Sequence, residues 1–462
     1  MKFTKLLSLC ALSMLLNPLA GLAQEEKEVD KFMTFGEPSF FRPYDKKGIH
    51  VFETTKDDYY KPYTGRKLNL GAGFTMQFQS LKNENPGALN SGPTEVNALA
   101  PLKPGFMTSQ ANLYIDVQLA DGIRMNLTNY LSSRHHNEFY VKGGYLQVDK
   151  IPFIESDLLD NLMRYTTIKV GHMEINYGDA HFRRPDGGHT SYSPFMEGNI
   201  MDAFATEMAA EVYLQHNGLF GMVGLSNGMI KGSVDSLAPN ADETDKRNPS
   251  VYFKGGFDKQ INDITRVRLS GSWYHNSGTN GTGLTLYAGD RTGSNYQNVM
   301  EQYYTAAGVA KAGTAMFTSG RFNPNLNGKL DAIMINAFAK VEGFELFGTY
   351  EIARGYAKNE GLTDNEVEAR SANQFAIEGI YRFGSYENFF AGLKYNKVQS
   401  ELYNYDEKVN VDRFAVGAGW FMTKNIMVKG EYVNQKYDDF KNTDYRHNGK
   451  FNGVVLEAAI SF

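Results

Sequence analysis

From about residue 66 onward the chain repeats one unit. A segment of about ten residues with alternating apolar and polar side chains leads into a two- to four-residue turn, and another such segment follows. A period of two puts alternate side chains on opposite faces of a strand. In the last segment Val454, Leu456, Ala458, Ile460 and Phe462 share one face, and Val455, Glu457, Ala459 and Ser461 share the other. Likewise Leu68, Leu70, Phe74, Met76 and Phe78 oppose Asn69, Thr75, Gln77 and Gln79, and Val267, Leu269 and Trp273 oppose Arg266, Arg268, Ser270 and Ser272. The pattern predicts sixteen strands, near residues 66–80, 106–119, 123–133, 138–149, 165–175, 207–216, 219–229, 250–259, 264–275, 329–341, 344–354, 371–383, 387–398, 411–422, 426–436 and 450–462.

The connections alternate in length. Tight turns carry Asp121-Gly122, Asn217-Gly218, Asn262-Asp263, Glu342-Gly343, Gly384-Ser385 and Thr423-Lys424-Asn425, and Asp-Gly and Asn-Gly supply the positive φ of two-residue hairpins. The intervening connections are long: 81–105, 176–206, 230–249, 276–328, 355–370, 399–410 and 437–449. Two connections break the rule. Residues 134–137 are short where a loop is due, and 150–164, with Ile154, Leu158, Leu159 and Leu162 at helical spacing, are long where a turn is due. Short turns on one rim and long loops on the other mark a closed, antiparallel, all-β transmembrane barrel with its short rim in the periplasm. Eighteen strands are the alternative if Leu284–Tyr287 and a partner near 314–318 add a hairpin. Apolar-face aromatics collect at strand ends, with Phe344, Phe383, Phe389, Trp420 and Phe462 toward the turns and Trp273, Tyr350, Tyr395 and Tyr432 toward the loops, the level that amphipathic rings take at membrane interfaces.

Composition agrees and removes competitors. With 42% apolar and 21% charged residues among 462, the chain is neither disordered nor a disulfide scaffold, and no run after residue 23 is apolar over the 18 or so positions that a membrane helix needs. Lys2 and Lys5, the apolar run from Leu6 to Leu16 and the small-residue site Gly21-Leu22-Ala23 predict a signal peptide over 1–23. Its removal takes the only cysteine, Cys10, so thiol chemistry is not expected. It leaves 45 basic against 52 acidic side chains, a net charge of −7, which argues against a nucleic-acid partner. Residues 24–65, with Phe40, Phe41, Tyr44, Phe52, Tyr59, Tyr60 and Tyr63, form an N-terminal extension that can sit in the periplasm, thread the lumen or add a strand.

On these features residues 66–462 resemble the outer-membrane porins, and the terminal strand ending in Phe462 looks like the signal read by the barrel-assembly machinery. Sixteen strands, an N-terminal extension and a long third loop are similar to the phosphate-selective porin O and P family of a Bacteroidetes-type envelope. The resemblance implies a bacterial outer-membrane location, lipid and lipopolysaccharide neighbours, passive diffusion of small hydrophilic solutes and a homotrimer as one option. The sequence has no clear copy of a lysine-rich phosphate ladder, so that family's substrate is not carried over.

The polar faces of the strands supply nine basic residues (Arg124, Lys254, Arg266, Arg268, Lys340, Arg382, Lys394, Arg413, Lys429) and nine acidic ones (Asp116, Glu207, Glu211, Asp258, Glu345, Glu351, Glu378, Glu431, Glu457). A balanced wall leaves selectivity to the narrowest point. The candidate is loop 176–206, expected to fold inward, where Asp179, His181, Arg183, Arg184 and Asp186 would face Glu207 and Glu211, the arginine pair favouring anions. Arg266, Arg268, Arg382, Lys394, Arg413 and Lys429 are expected to line the lumen. A second arrangement has the arginines pin the loop to the wall through Glu207 or Glu211. The histidines and carboxylates here match no compact metal motif, and no cofactor is expected. Two other functions stay open: a docking barrel in a larger envelope assembly, and a hydrolase using Asp179 and His181 with Ser191 or Ser193.

Overall fold

The computed structural model describes residues 52–53, 63, 65–86, 90–91, 94–95, 99–131, 139–183, 194–234, 247–279, 283–288, 295–301, 303–306, 309–312, 319–358, 360, 368–384, 386–423 and 425–462. The alternating segments form sixteen long strands: β1 (Lys67–Glu84), β2 (Gln110–Ala120), β3 (Ile123–Leu131), β4 (Phe139–Val148), β5 (Thr166–Glu174), β6 (Thr206–His216), β7 (Leu219–Ser226) and β8 (Ser250–Asn262). The second half comprises β9 (Thr265–Asn276), β10 (Lys329–Val341), β11 (Phe344–Tyr356), β12 (Arg370–Phe383), β13 (Phe389–Ser400), β14 (Val409–Phe421), β15 (Ile426–Asp438) and β16 (Lys450–Ser461). Each is antiparallel to its sequence neighbours, and β1 pairs with both β2 (Leu70↔Ile115) and β16 (Met76↔Ala458), so the sheet closes without a free edge. Closure matters in lipid, where an unpaired backbone edge has no water to satisfy it.

The face assignments hold along the strands. Leu346, Leu393, Leu456 and Ile333 are more than half exposed, while Glu345, Lys394, Val455 and Glu457 on the other face are buried. Phe344, Tyr381, Phe383, Phe389 and Trp420 stack in a continuous outward ladder at the turn rim, with centroids 4.5 to 5.8 Å apart. This apolar, aromatic-rimmed exterior and the closed ladder define a bacterial outer-membrane barrel. The Asn217-Gly218 turn has φ of 50° and 82°, the double positive value that a tight primed turn demands.

The long turn-side connection holds α1 (Asp157–Met163), capped by Ser156 Oγ, which accepts from the Leu159 N–H. Leu284–Tyr287 does not join the wall. Leu284, Leu286 and Tyr287 are buried in the lumen, whereas Tyr303–Ala306 and Val309–Ala312 make a separate small hairpin. The proposed partner near 314–318 and the connection 134–137 lie outside the described residues.

The interior is filled rather than open. Loop 3 (175–205) and loop 5 (277–328) carry Met196, Ile200, Met201, Tyr296, Val299, Met300 and Phe322 into one cluster with wall residues such as Tyr252, Met334, Val433 and Phe451, all 5% exposed or less. In a soluble protein these residues would form a core between layers. Here they form one inside a cylinder.

Candidate functional site

Loop 3 leaves β5 at Glu174 and turns into the lumen, and wall side chains receive its backbone. The N–H of Asn176 donates to Glu211 Oε1 (2.9 Å), that of Gly178 to Ser272 Oγ (3.0 Å) and that of Asp179 to Asn336 Oδ1 (2.8 Å). Gly178 sits at φ +69°, and a Cβ there would lie 2.1 Å from Met334 Sδ, so the close approach needs glycine. Asp179 and the short 3-10 turn that follows it, Ala180–Arg183, then point three polar side chains (Asp179, His181 and Arg183) at different targets.

Asp179 meets the wall at β8 and β9. Arg268 donates from Nε and Nη2 (2.7 Å each), Ser270 Oγ donates at 2.7 Å, and Lys254 Nζ lies at 2.8 Å. Burial alone would raise this carboxyl's pKa, but Lys254 and Arg268 outweigh it and hold the group well below the usual carboxylate range. His181 turns the other way, with Nδ1 on Glu174 and Nε2 on Asn176 Oδ1 (3.0 Å). Asp179 and His181 thus have different direct partners, and among the described residues their networks meet at Asn176, whose Oδ1 also accepts from Lys254 (2.6 Å).

Arg183 reaches the turn-side end of β11 and β12. Its Nε donates to Glu378 Oε1 (2.6 Å) and its Nη2 to Glu345 Oε2 (3.4 Å), with the guanidinium 5.7 Å from the Phe338 ring and 5.2 Å from the Phe347 ring. Burial opposes its charge, yet the two glutamates raise its pKa further. Arg382 pairs with the same Glu345, and Lys394 stands 3.5 Å from Glu378. This cluster holds three cations and two carboxylates. The partners of Arg183 are therefore Glu345 and Glu378 rather than Glu207 or Glu211. On β6, Glu211 is taken by the Asn176 N–H and the hydroxyls of Tyr213 and Tyr252, and Glu207 accepts from Ser226. Arg184 and Asp186, with His189, Ser191 and Ser193, lie outside the described residues.

The returning leg of loop 3 is held the same way. The N–H groups of Met196, Ile200 and Met201 donate to Glu431 (2.9 Å), Asn396 (2.6 Å) and Gln374 (2.8 Å). Lys429 donates to the Phe195 carbonyl (2.9 Å) and Arg413 to that of Gly198 (3.1 Å). Of the six basic residues expected in the lumen, Arg266 pairs with Asp258 at 2.6 Å and Lys429 with Glu457 at 3.1 Å, so all six point inward and each has a protein partner.

Two features were not legible in the motif reading. Toward the loop rim, a cavity of about 200 Å³ is lined by Asp202, Tyr287, Arg321, Tyr437, Tyr445 and Arg446 among others. Toward the turn rim, two residues of the N-terminal extension enter the lumen. Phe52, 2% exposed, packs edge-on against Phe338 (5.4 Å) and Phe182 (5.8 Å), and the Arg268 guanidinium lies 4.3 Å from its ring centroid. Glu53 bridges Arg268 (2.6 Å) and Lys254 (2.8 Å) and accepts from Asn176 Nδ2 (3.0 Å). Against burial, Arg268 and Lys254 lower its pKa to about 2. The surplus of aromatic residues in 24–65 was the available signal, but aromatic content does not tell where a segment packs. Among the described residues no group of His, Asp and Glu is arranged to hold a metal ion.

No protein-family model matches the chain, and no curated protein matches it in sequence. Among solved structures it is similar to the in-vitro folded OmpT, an outer membrane protein of Vibrio cholerae (10% identity, 86% of this chain and 98% of that one, TM-score 0.48). It is also similar to the anion-selective porin from Comamonas acidovorans (10%, 86% and 100%, TM-score 0.47) and the outer membrane channel DcaP of Acinetobacter baumannii (14%, 87% and 99%, TM-score 0.47).

Proposed function

We propose that the protein is a non-enzymatic outer-membrane channel for small hydrophilic solutes, of the porin O and P type, and that the described form is its closed form. The observation that carries this reading is how the filling of the lumen is attached. Among the described residues, the hydrogen bonds from loop 3 to the wall run through wall side chains, while the wall's own ladder is continuous backbone pairing. A segment fastened by side chains detaches without disturbing the barrel, which is what a gate requires. The same lumenal groups then face water, where ionisable residues are at home.

The cluster of Arg183, Arg382 and Lys394 against Glu345 and Glu378 has one cation in excess, which supports an anion preference at the neck. The separate commitments of Asp179 and His181 speak against a hydrolytic pair. Conductance of the purified protein in planar bilayers under a salt gradient tests the reading. Wild type should conduct far below an open sixteen-strand pore, deletion of residues 179–189 should raise conductance, and replacing Arg183 and Arg184 with Ser should shift the reversal potential toward cations. The filled lumen also suits a docking barrel. Absence of current from both wild type and the deletion variant, in correctly folded protein, would favour that second reading.

A further inference from the structure

The two residues Phe52 and Glu53 occupy a place that the wall and loop 3 build jointly. Lys254 on β8, and Arg268 on β9 with Phe338 on β10, come from the wall, while Asn176 and Phe182 come from loop 3. Each carboxylate oxygen of Glu53 meets a different cation, Oε1 with Lys254 and Oε2 with Arg268. Phe52 fills the adjoining aromatic slot, with the Arg268 guanidinium also over its ring.

The charges explain why an acid belongs there. Lys254 and Arg268, with side chains 0 and 1% exposed, face Asp179 and Glu53, two cations against two anions. Asp258 also touches Arg268 (3.2 Å), but it is paired with its own cation, Arg266, at 2.6 Å. Through Asn176 the site adjoins His181 and Glu211, each already bonded. Without Glu53 one buried cation is uncompensated, and buried charges persist only when paired. The dipeptide also ties loop 3 to the wall. Its bond to Asn176 and its ring contact with Phe182 fall on loop 3, and its ion pairs fall on the wall.

We infer that this cradle is a recognition site for a phenylalanine-acidic dipeptide, occupied in cis by Phe52-Glu53, which latches loop 3 against the wall from the turn-side end of the lumen. The latch rests on the channel reading only for its effect on current. As a binding site it stands alone.

The test uses the full chain carrying F52A and E53Q, which empties the cradle without touching the barrel. A fluorescent peptide spanning residues 48–57 (GIHVFETTKD) is titrated against it in detergent and read by anisotropy. Binding to the double variant but not to wild type is expected. The affinity should fall at least tenfold for peptides with Phe52 or Glu53 replaced, and K254M should lose the peptide as well. No binding to the folded, heat-modifiable double variant, or equal binding of a scrambled peptide, overturns the latch. If the double variant does not fold, E53Q alone, which removes one charge and no volume, carries the same comparison.

Bilayer currents from the same samples separate the two ideas. Higher current in the variant, reversed by peptide on the turn side only, supports latch and channel together. Peptide binding with no current from any form supports the latch and sinks the channel, whereas raised current with no binding does the opposite.

Discussion

Replacing Arg183 by Gln should convert a closed channel into one that opens often. Arg183 is 4% exposed, donates to Glu378 and Glu345, and lies between the rings of Phe338 and Phe347. Removing one member of a buried ion pair costs about 3–5 kcal/mol, chiefly because the abandoned charge stays buried. Here both carboxylates keep a second cation, Lys394 for Glu378 and Arg382 for Glu345, so the lower end applies. The lost contacts with two aromatic faces add about 1 kcal/mol. In the proposed open form wall and loop separate, so nearly all of this would fall on the docked state. Together a loss of about 4 kcal/mol raises the undocked fraction about a thousandfold. Single-channel recording reads that fraction as the frequency and lifetime of large openings. Arg183→Lys, which keeps the charge but loses the planar fork, should fall between wild type and Gln. If Arg183→Gln opened no more often than wild type, Arg183 would not be a fastener of loop 3 and the argument from its burial would be wrong.

Three further outcomes are expected. Gly178→Ala should also favour opening, by about 1–2 kcal/mol, since a side chain at φ +69° is strained and Met334 must move aside; recordings beside Arg183→Gln check it. Glu301, whose pKa burial lifts to about 7, gives the loop-5 packing a pH dependence. The packing is fully favourable below about 4.5, where the acid is neutral in either state, and is progressively penalised as pH rises through 7, so open probability should increase between pH 5 and 8 and Glu301→Gln should abolish the trend. Ile335→Arg, at the middle of β10 and 48% exposed on the outer face, should destabilise the barrel by about 2–4 kcal/mol in urea unfolding from lipid vesicles, and a cost near zero would deny that this face meets hydrocarbon.

The wall was legible because its physics is local. Alternation along each strand depends only on which side of a sheet is apolar, and Asn217-Gly218 announces its turn through backbone preference alone. Loop 3 was legible as a segment, since charge and glycine concentrate in it, but not its partners. Glu345, Glu378 and Arg183 lie 162 and 195 positions apart in sequence, and nothing in a one-dimensional pattern singles out those glutamates from Glu207 and Glu211. Loop 5 carried a signal that strand reasoning discounts. Leu284, Leu286, Tyr296, Val299 and Phe322 are too apolar for a solvated 52-residue connection, and their burial in the lumen accounts for them.

The even count of wall charges takes on a different meaning once the lumen is known to be filled. In an open pore, balance would mean only that neither ion is favoured at a distance. In the described form each of the nine inward cations counted from the sequence is matched by a carboxylate or a loop carbonyl, as Lys429 is by Glu457 and the Phe195 carbonyl, and Arg413 by the carbonyls of Gly198 and Gly320 beside Gln435. An apolar wall would pack the same plug more cheaply, because taking ion pairs out of water costs free energy that their attraction only partly returns. That wall would then have to meet water on opening, at about 25 cal/mol for each Å² of apolar surface exposed. A wall of paired charges loses little in either form, since the pairs hold the plug when it is docked and are hydrated when it leaves. On the proposed gating, the closed state is thereby kept from becoming too stable to leave, and a few fasteners such as Arg183, Asp179 and Glu53 would be sufficient to set the balance.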